Sequence, residues 1–313
     1  MKSKRNKTID FPLEEAQKYI ENCLTEKDSS SPVNKTLLGD LFKCINKVED
    51  GSVDLLIVDP PYNLNKNFHG NAFKESDGEV YAEYTEKWIK AVLPKLKKTA
   101  SIYVCCDWKS SLVIGAVLQK YFILRNRITW QREKGRGAKS NWKNGLEDVF
   151  FATVSEEYTF NLNAVKVRKK VLAPYKENGV PKDWEKTDNG NYRNTCPSNF
   201  WDDIAIPYWS MPENTAHPTQ KPEKLIAKLI LASSNAGDLV LDPFAGSGTT
   251  GVVAKKLGRN YIDIEQNPLY CGWAEYRLQN CNQGDRIQGY EDGIFWERNT
   301  PPSKPKMKKG KKV

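Results

Sequence analysis

Residues 53–62 read VDLLIVDPPY, and the abrupt change after Val58 decides how the chain folds. The run 53–58 is short and almost wholly apolar, the pattern of a parallel strand covered on both faces. It stops at Asp59, and two prolines and a tyrosine follow. Proline has no N–H, so Pro60 and Pro61 offer carbonyl acceptors and no main-chain donors. Asp59 adds a carboxylate, and Tyr62 adds a flat aromatic face. A ligand in an open α/β sheet sits outside the carboxyl ends of its strands, where this tetrapeptide falls. Together the four residues match a planar ring bearing an exocyclic amino group. A strand terminator with a type I or II turn explains the prolines alone, but not the whole tetrapeptide after a buried strand.

A second stretch, DLVLDPFAGSGTT at 238–250, repeats the logic of strand, acidic end and turn. Gly246 and Gly248 lie between a strand and a helix start, where glycine allows tight turning and close backbone approach to a ligand. No lysine follows Gly248, so this is not the phosphate loop of a nucleoside triphosphatase. Asp242 ends the strand and Glu265 ends the next one. An acid about 20 residues on is what a ribose hydroxyl pair demands. Adenosine binding follows, in a dinucleotide or in S-adenosylmethionine, and the loop alone does not choose between them.

Outward from these motifs the chain alternates. Residues 84–98, YTEKWIKAVLPKLKK, place Trp88, Ile89, Val92, Leu93 and Leu96 on one helical stripe, with a kink expected at Pro94. ASIYVCC (100–106) reads as a strand, SSLVIGAVLQKYF (110–122) as a helix, and 123–131 and 147–154 as two more strands. HPTQKPEKLIAKLILASS (217–234) is a helix after a Pro-rich cap, and TTGVVAKKLG then NYIDIE complete the set. The expectation is an α/β fold, a doubly wound and mostly parallel sheet. Residues 1–35 read as a polar leader with a short helix near 12–24, and 161–215 as an irregular segment without helical periodicity.

Composition bounds the function classes. Of 313 residues, 39% are hydrophobic and 28% charged, and no apolar run approaches the roughly 20 residues of a membrane helix. The basic start lacks the apolar segment of a secretory signal, so a cytoplasmic protein is expected. The seven cysteines include no CxxC pair, which suggests neither a metal site nor a disulfide framework. Cys105 and Cys106 are read as reduced core thiols. The net charge of +9 is concentrated at the ends: residues 1–7 and 304–313 carry ten Lys/Arg, leaving residues 8–303 at −1. The tail KPKMKKGKKV is read as a solvated extension.

DPPY followed downstream by an FxGxGTT loop resembles the DNA amino-methyltransferases that modify adenine N6 or cytosine N4. The order of motifs, 59–62, then HPTQKP at 217–222 and the loop at 242–250, is similar to the beta class of these enzymes. The resemblance covers roughly residues 37–280. It implies a methyltransferase sheet with permuted motif order, S-adenosylmethionine as cofactor and double-stranded DNA as substrate. A homodimer and a cognate restriction endonuclease, a functional rather than physical partner, are implied too.

Carried over residue by residue, the resemblance puts Asp59 and the Pro60 carbonyl on the target amine, with Pro61 completing the motif and Tyr62 stacking on the base. It assigns the cofactor pocket to Asp59, Asp242, Phe244, Gly246, Ser247, Gly248 and Thr249, the ribose to Glu265 and the adenine amine to Asp40. Thr219 and Lys221 would face the cofactor's carboxylate, and His217 would cap the turn. Catalytic and cofactor functions then occupy 36–160 and 216–285, target recognition 161–215, and a C-terminal extension 286–313. Basic residues are concentrated where DNA contact is expected: Arg132, Lys134, Arg136, Lys139 and Lys143 in 132–145, and Arg168, Lys169 and Lys170 in the recognition segment. Asp at the first motif position goes mostly with adenine in this family, which favours adenine over cytosine. One departure stands out: Asp263 occupies a position where the family commonly has glycine, and strand alternation aligns it with Glu265. Two carboxylates at one ligand repel, so Asp263→Gly is expected to tighten cofactor binding. An inactive DNA-binding relative is a rival reading on the same ground. RNA or protein-glutamine methyltransferases usually carry Asn-Pro-Pro-Tyr after the cofactor loop, and a dehydrogenase leaves DPPY unexplained.

Overall fold

The computed structural model describes residue 3 and residues 5–64, 66–68, 71–73, 75–132, 140–172, 175–188 and 190–297. Eight strands form the main sheet: β1 (Lys35–Leu38), β2 (Val53–Val58), β3 (Leu96–Cys106), β4 (Ile123–Gln131), β5 (Leu146–Thr153), β6 (Phe200–Trp201), β7 (Leu239–Asp242) and β8 (Asn260–Glu265). Their order in space is β1-β8-β7-β2-β3-β5-β4-β6. Every neighbouring pair is parallel except the two made by β5.

The helices that flank the sheet are α1 (Leu13–Ile20), α2 (Gly78–Val92), α3 (Trp108–Leu118), α4 (Glu223–Ser233), α5 (Thr249–Lys256) and α6 (Pro268–Gln279). Alternation along β2 explains why both sheet faces are covered. Leu55 and Ile57 join one core with α4 and α5 residues such as Leu225, Leu229 and Val252. Leu56 and Val58 join the other with Trp88, Ile89 and Val92 of α2 and Ile114 of α3. Cys105 and Cys106 divide between these cores in the same way. Both are free thiols, and burial pushes both up from the usual thiol range. Helix starts follow local chemistry. The carboxylates of Asp77 and Asp107 accept from Glu79 N and Ser110 N, and Asn267 Oδ1 accepts from Leu269 N, with Pro268 at the first helical position.

Two expectations change. Pro94 does not kink a helix running to Lys98: α2 ends at Val92, Leu93–Lys95 is a 3-10 turn, and β3 begins at Leu96. A proline has no N–H to give back to the preceding turn, so the helix stops. The segment 161–215 is not irregular. Its strands Val167–Lys170, Glu185–Thr187 and Gly190–Thr195 join Tyr290–Glu291 and Ile294–Trp296 in a five-stranded sheet. Val167 and Phe295, paired across it, are buried in the first core. The polar leader carries its expected short helix, α1, and packs against the fold. Tyr276 meets Phe11 and Tyr19 edge to face, Phe11 lies tilted against Tyr19, and α1 meets α6 so closely that a Cβ on Gly272 would lie 2.6 Å from Ala16 Cβ. Lys7 N and Ile9 N donate to the Trp209 and Asn214 carbonyls, 2.6 and 2.8 Å away. Among the described residues, no helix is long and apolar enough to cross a membrane.

Candidate active site

Four adjacent parallel strands, β1, β8, β7 and β2, bring their carboxyl ends to one edge of the sheet. Asp40, Glu265, Asp242 and Asp59 stand at those ends and line one cavity of about 280 Å³. Sequence order and spatial order differ here: the glycine loop, late in the chain, lies beside DPPY because β7 pairs with β2.

Asp59 is held from two sides. Its Oδ1 accepts from Tyr62 OH at 2.8 Å, and its Oδ2 accepts from Lys221 Nζ at 2.6 Å. Lys221 Nζ also lies 3.1 Å from Tyr62 OH, 5.4 Å from the Tyr62 ring centroid and 3.4 Å from Glu147 Oε2. Burial alone would lower the Lys221 pKa, but Asp59 and Glu147 outweigh it and the net shift is upward. Burial, then Asp59 and Glu147, push the Tyr62 phenol well up. Pro60 is buried, and the Pro61 carbonyl is taken by Tyr81 OH of α2 at 3.0 Å. Asn63 braces the loop beyond, receiving a bond from Ser76 N at 2.7 Å and donating from its own amide nitrogen to Ser76 O at 2.8 Å.

The glycine loop is built on positive-φ backbone, with Gly246 at +54° and Gly248 at +71°, a conformation that costs other residues. Asp242 closes it, accepting from Phe244 N at 3.0 Å and Thr250 Oγ1 at 2.5 Å. Burial raises the Asp242 pKa to about 7, with Asp59 and Glu265 adding to the rise. Both Glu265 oxygens take backbone donors, Gly246 N at 2.9 Å and Asn267 N at 2.7 Å, and burial raises its pKa. Arg277 Nη1 fastens the loop from behind through Ser247 O at 2.8 Å and Thr249 Oγ1 at 3.0 Å. Phe244 packs edge-on to Trp88, and Asp40 Oδ1 caps Leu41–Cys44 by accepting from Phe42 N at 2.9 Å. The His217 imidazole receives Thr219 N on Nδ1 at 3.3 Å, as a turn cap does, and lies edge-to-face with Tyr270. It also comes against the loop: a Cβ on Gly246 would meet His217 Nε2 at 3.0 Å.

These residues fit an adenosine-bearing cofactor. The cradle has no side chain at Gly246, and Ser247 Oγ is buried at the cavity without a partner among the described residues. Burial penalises such an orphan unless a ligand or water satisfies it. Gly248, expected to contact the cofactor, is not among the cavity-lining residues: a Cβ there would meet Ala274 Cβ of α6 at 2.5 Å, so it serves the turn into α5.

Asp59, Pro60, Pro61, Tyr62, Asp40, Thr219, Lys221, Asp242, Phe244, Gly246, Ser247, Thr249 and Glu265 all line the same cavity. Lys221 nevertheless stands on Asp59, not apart with Thr219. Asp263 differs from expectation more sharply. It is 0% exposed and lies beneath α5, receiving Gly251 N on Oδ2 at 3.2 Å, and it is not among the cavity-lining residues. Burial, with Asp242 next, raises its pKa well above the usual carboxylate range. The anticipated repulsion with Glu265 at the ligand therefore has no geometric basis. Glu147 and Arg277 were missed by sequence reading. Each is a single residue of a regular element with no motif around it, and the only signal was the acidic pair Glu147-Asp148 opening the apolar strand LEDVFFAT.

The expected DNA contacts divide. Lys134, Arg136 and Lys139 lie outside the described residues. Lys143, Lys169 and Lys170 are exposed. Arg132 is ion-paired with buried Glu147. Arg168, with an 11% exposed side chain, pairs with Glu185 and packs its guanidinium on Tyr192 and Trp296, at 5.4 and 5.7 Å. It braces the second sheet.

Residues 53–275 match the family described as DNA methylase, the N6/N4 methyltransferases. The chain is 37% identical over 255 residues to the DNA adenine methyltransferase YhdJ of Escherichia coli (strain K12), covering 78% of this chain and 82% of that protein. It is 33% identical over 251 residues to the type II methyltransferase M.HpaI of Haemophilus parainfluenzae, covering 79% and 74%. The crystal structure of the M1.HpyAVI–SAM complex superposes with a TM-score of 0.54 at 24% identity, over 78% of this chain and 98% of that one, a likeness of fold.

Proposed function

The chain belongs to the N6/N4 DNA methylase family, and from that premise we propose that it methylates adenine N6 in double-stranded DNA, using S-adenosylmethionine. The base is flipped out of the duplex, and the enzyme acts as the modification partner of a restriction endonuclease. The observation that carries the reading is the single cavity in which the Asp59 carboxylate of DPPY faces the glycine loop. Support for the cofactor comes from the cradle at Gly246 and from the SAM-bound neighbour by fold. Support for adenine comes from Asp at the head of the motif and from the adenine enzyme that is 37% identical.

When bound, S-adenosylmethionine supplies an electrophilic methyl group on a sulfonium. Asp40, Phe244, Ser247 and Glu265 would hold it, with Gly246 admitting it close to the backbone. The protein's remaining task concerns the amine, a weak nucleophile because its lone pair is delocalised into the ring. Asp59 and the Pro60 carbonyl accept its two N–H groups, which favours a tetrahedral nitrogen with its lone pair directed outward. Inside a duplex this amine is out of reach, and extruding the base costs a few kcal/mol. The Tyr62 ring offsets part of that by stacking, worth roughly 1–3 kcal/mol per base. No covalent enzyme intermediate is required, so Cys105 and Cys106 stay in the cores.

The test is incubation with S-adenosylmethionine and unmethylated plasmid, then nucleoside mass spectrometry. N6-methyladenine is the expected product. N4-methylcytosine would keep the mechanism and overturn the base; no methylated nucleoside despite DNA binding would favour an inactive relative.

A further inference from the structure

We propose that Glu147 is a positioning residue for methyl transfer: it holds the Lys221 ammonium so that Asp59 can turn an acceptor oxygen to the target amine. The inference rests on the assignment of Asp59 as the acceptor. Glu147 reaches the site because β5 is the antiparallel strand. The register pairs Cys106, at the carboxyl end of β3, with Asp148, near the amino end of β5. The first residues of β5 therefore lie at the same sheet edge as Asp59.

Glu147 is a buried carboxylate, its side chain 4% exposed, and it sits among donors. Oε1 accepts from Arg132 Nη1, while Oε2 faces Lys221 Nζ at 3.4 Å and Tyr62 OH at 3.5 Å. Those two donors are also the ones that occupy Asp59, at 2.6 and 2.8 Å. Two carboxylates thus flank one ammonium and one phenol. Together with Arg132 the cluster is charge-neutral, which makes the burial tolerable.

A carboxylate offers about four lone-pair positions, yet Asp59 has a donor on each oxygen before any base arrives. The target amine must compete with Lys221 and Tyr62. Glu147 stands just beyond ideal hydrogen-bond distance from both, a second acceptor toward which they can shift as the amine engages Asp59. Without the Glu147 charge, Lys221 has Asp59 as its sole carboxylate partner among the described residues and grips it more tightly. The cost then falls on the transfer step, not on binding DNA or cofactor.

The experiment is a double-substitution cycle on the full chain with Glu147→Gln, Lys221→Met and both. The readouts are single-turnover transfer of labelled methyl to plasmid, dissociation constants for S-adenosylmethionine and duplex DNA, and urea midpoints. Glu147→Gln is expected to slow transfer by about 10- to 100-fold, as a slight misplacement of a reacting group does, and to leave both dissociation constants within about twofold. In the Lys221→Met background the same substitution should change the rate by less than about twofold, because the ammonium it holds is gone. Equal losses in both backgrounds, an unaltered single variant, or weakened DNA binding with normal transfer would overturn the proposal. Should Lys221→Met be too slow to measure, the urea midpoints decide: non-additive values support the contact and additive values refute it. An active wild type with an unimpaired Glu147→Gln defeats this inference alone. A wild type that methylates no DNA defeats the functional reading and this one with it.

Discussion

Lys221 Nζ lies 2.6 Å from Asp59 Oδ2 across 162 positions of chain. That ion pair joins the Pro-rich segment before α4 to the end of β2. It makes the acceptor carboxylate and the cation beside it one unit, so the chemistry of either has to be tested with the other in place.

Asp59→Ala removes the proposed acceptor without touching the glycine loop. Methyl transfer should fall by at least about 10²-fold, the scale of losing one preorganised hydrogen-bonding group. Calorimetric affinity for S-adenosylmethionine should stay within about threefold on the same grounds. Loss of cofactor binding together with turnover would count against the assignment.

Gly248→Ala and Gly251→Ala should both destabilise the protein. A Cβ at 248 would lie 2.5 Å from Ala274 Cβ on backbone at φ +71°, and one at 251 would lie 2.3 Å from Asp263 Oδ2. Overpacking of this kind costs roughly 1–3 kcal/mol, readable as a lowered urea midpoint. Gly248→Ala should also weaken cofactor binding, since that residue turns the loop into α5.

Stability should decline as pH rises from about 4 to about 7. Burial raises both Glu213, helped by Glu223, and Asp242 to about 7, and Asp263 is raised with them. Across that window the folded chain holds protons that the unfolded chain has released. The stabilisation is therefore complete below the unfolded value and is lost as pH passes the folded one. Urea midpoints at pH 5 and pH 7.5 should differ in that sense, and Glu213→Gln should reduce the difference. A midpoint that rises with pH in both proteins would contradict the burial argument.

Lys169 and Lys170 are exposed where Arg168 is not. If 161–215 reads DNA, Lys169→Ala with Lys170→Ala should weaken binding and flatten the dependence of log K on log salt by about 0.9 for each phosphate no longer neutralised. Arg168→Ala should instead lower thermal stability, because Tyr192 and Trp296 would no longer have a guanidinium to stack on. An unchanged salt slope in the double variant would place the DNA elsewhere.

Much of the site was legible in the chain. VDLLIV ending in Asp59 and LVLD ending in Asp242 both proved to be strands whose ends line the cavity, because hydrophobic runs and turn residues are local properties. Asp263 shows the limit. Alternation along β8 aligned it with Glu265, but alternation says nothing of what packs above a strand. In the fold that is the backbone of Gly251, so the carboxyl is sealed off from the ligand. The segment 161–215 was misread for a related reason: its strand Val167–Lys170 pairs with Ile294–Trp296, more than a hundred residues away.

By itself the sequence determined the alternation of strands and helices, the two acidic strand ends, the glycine turn and the family, since each is written in neighbouring residues. Only the tertiary structure decided which charges meet. It took the pairing of β7 with β2 to bring the cofactor loop to DPPY, and the reversal of β5 to bring Glu147 to Lys221. Contacts between distant residues depend on strand order and direction, and those are settled by how the whole sheet buries its two faces.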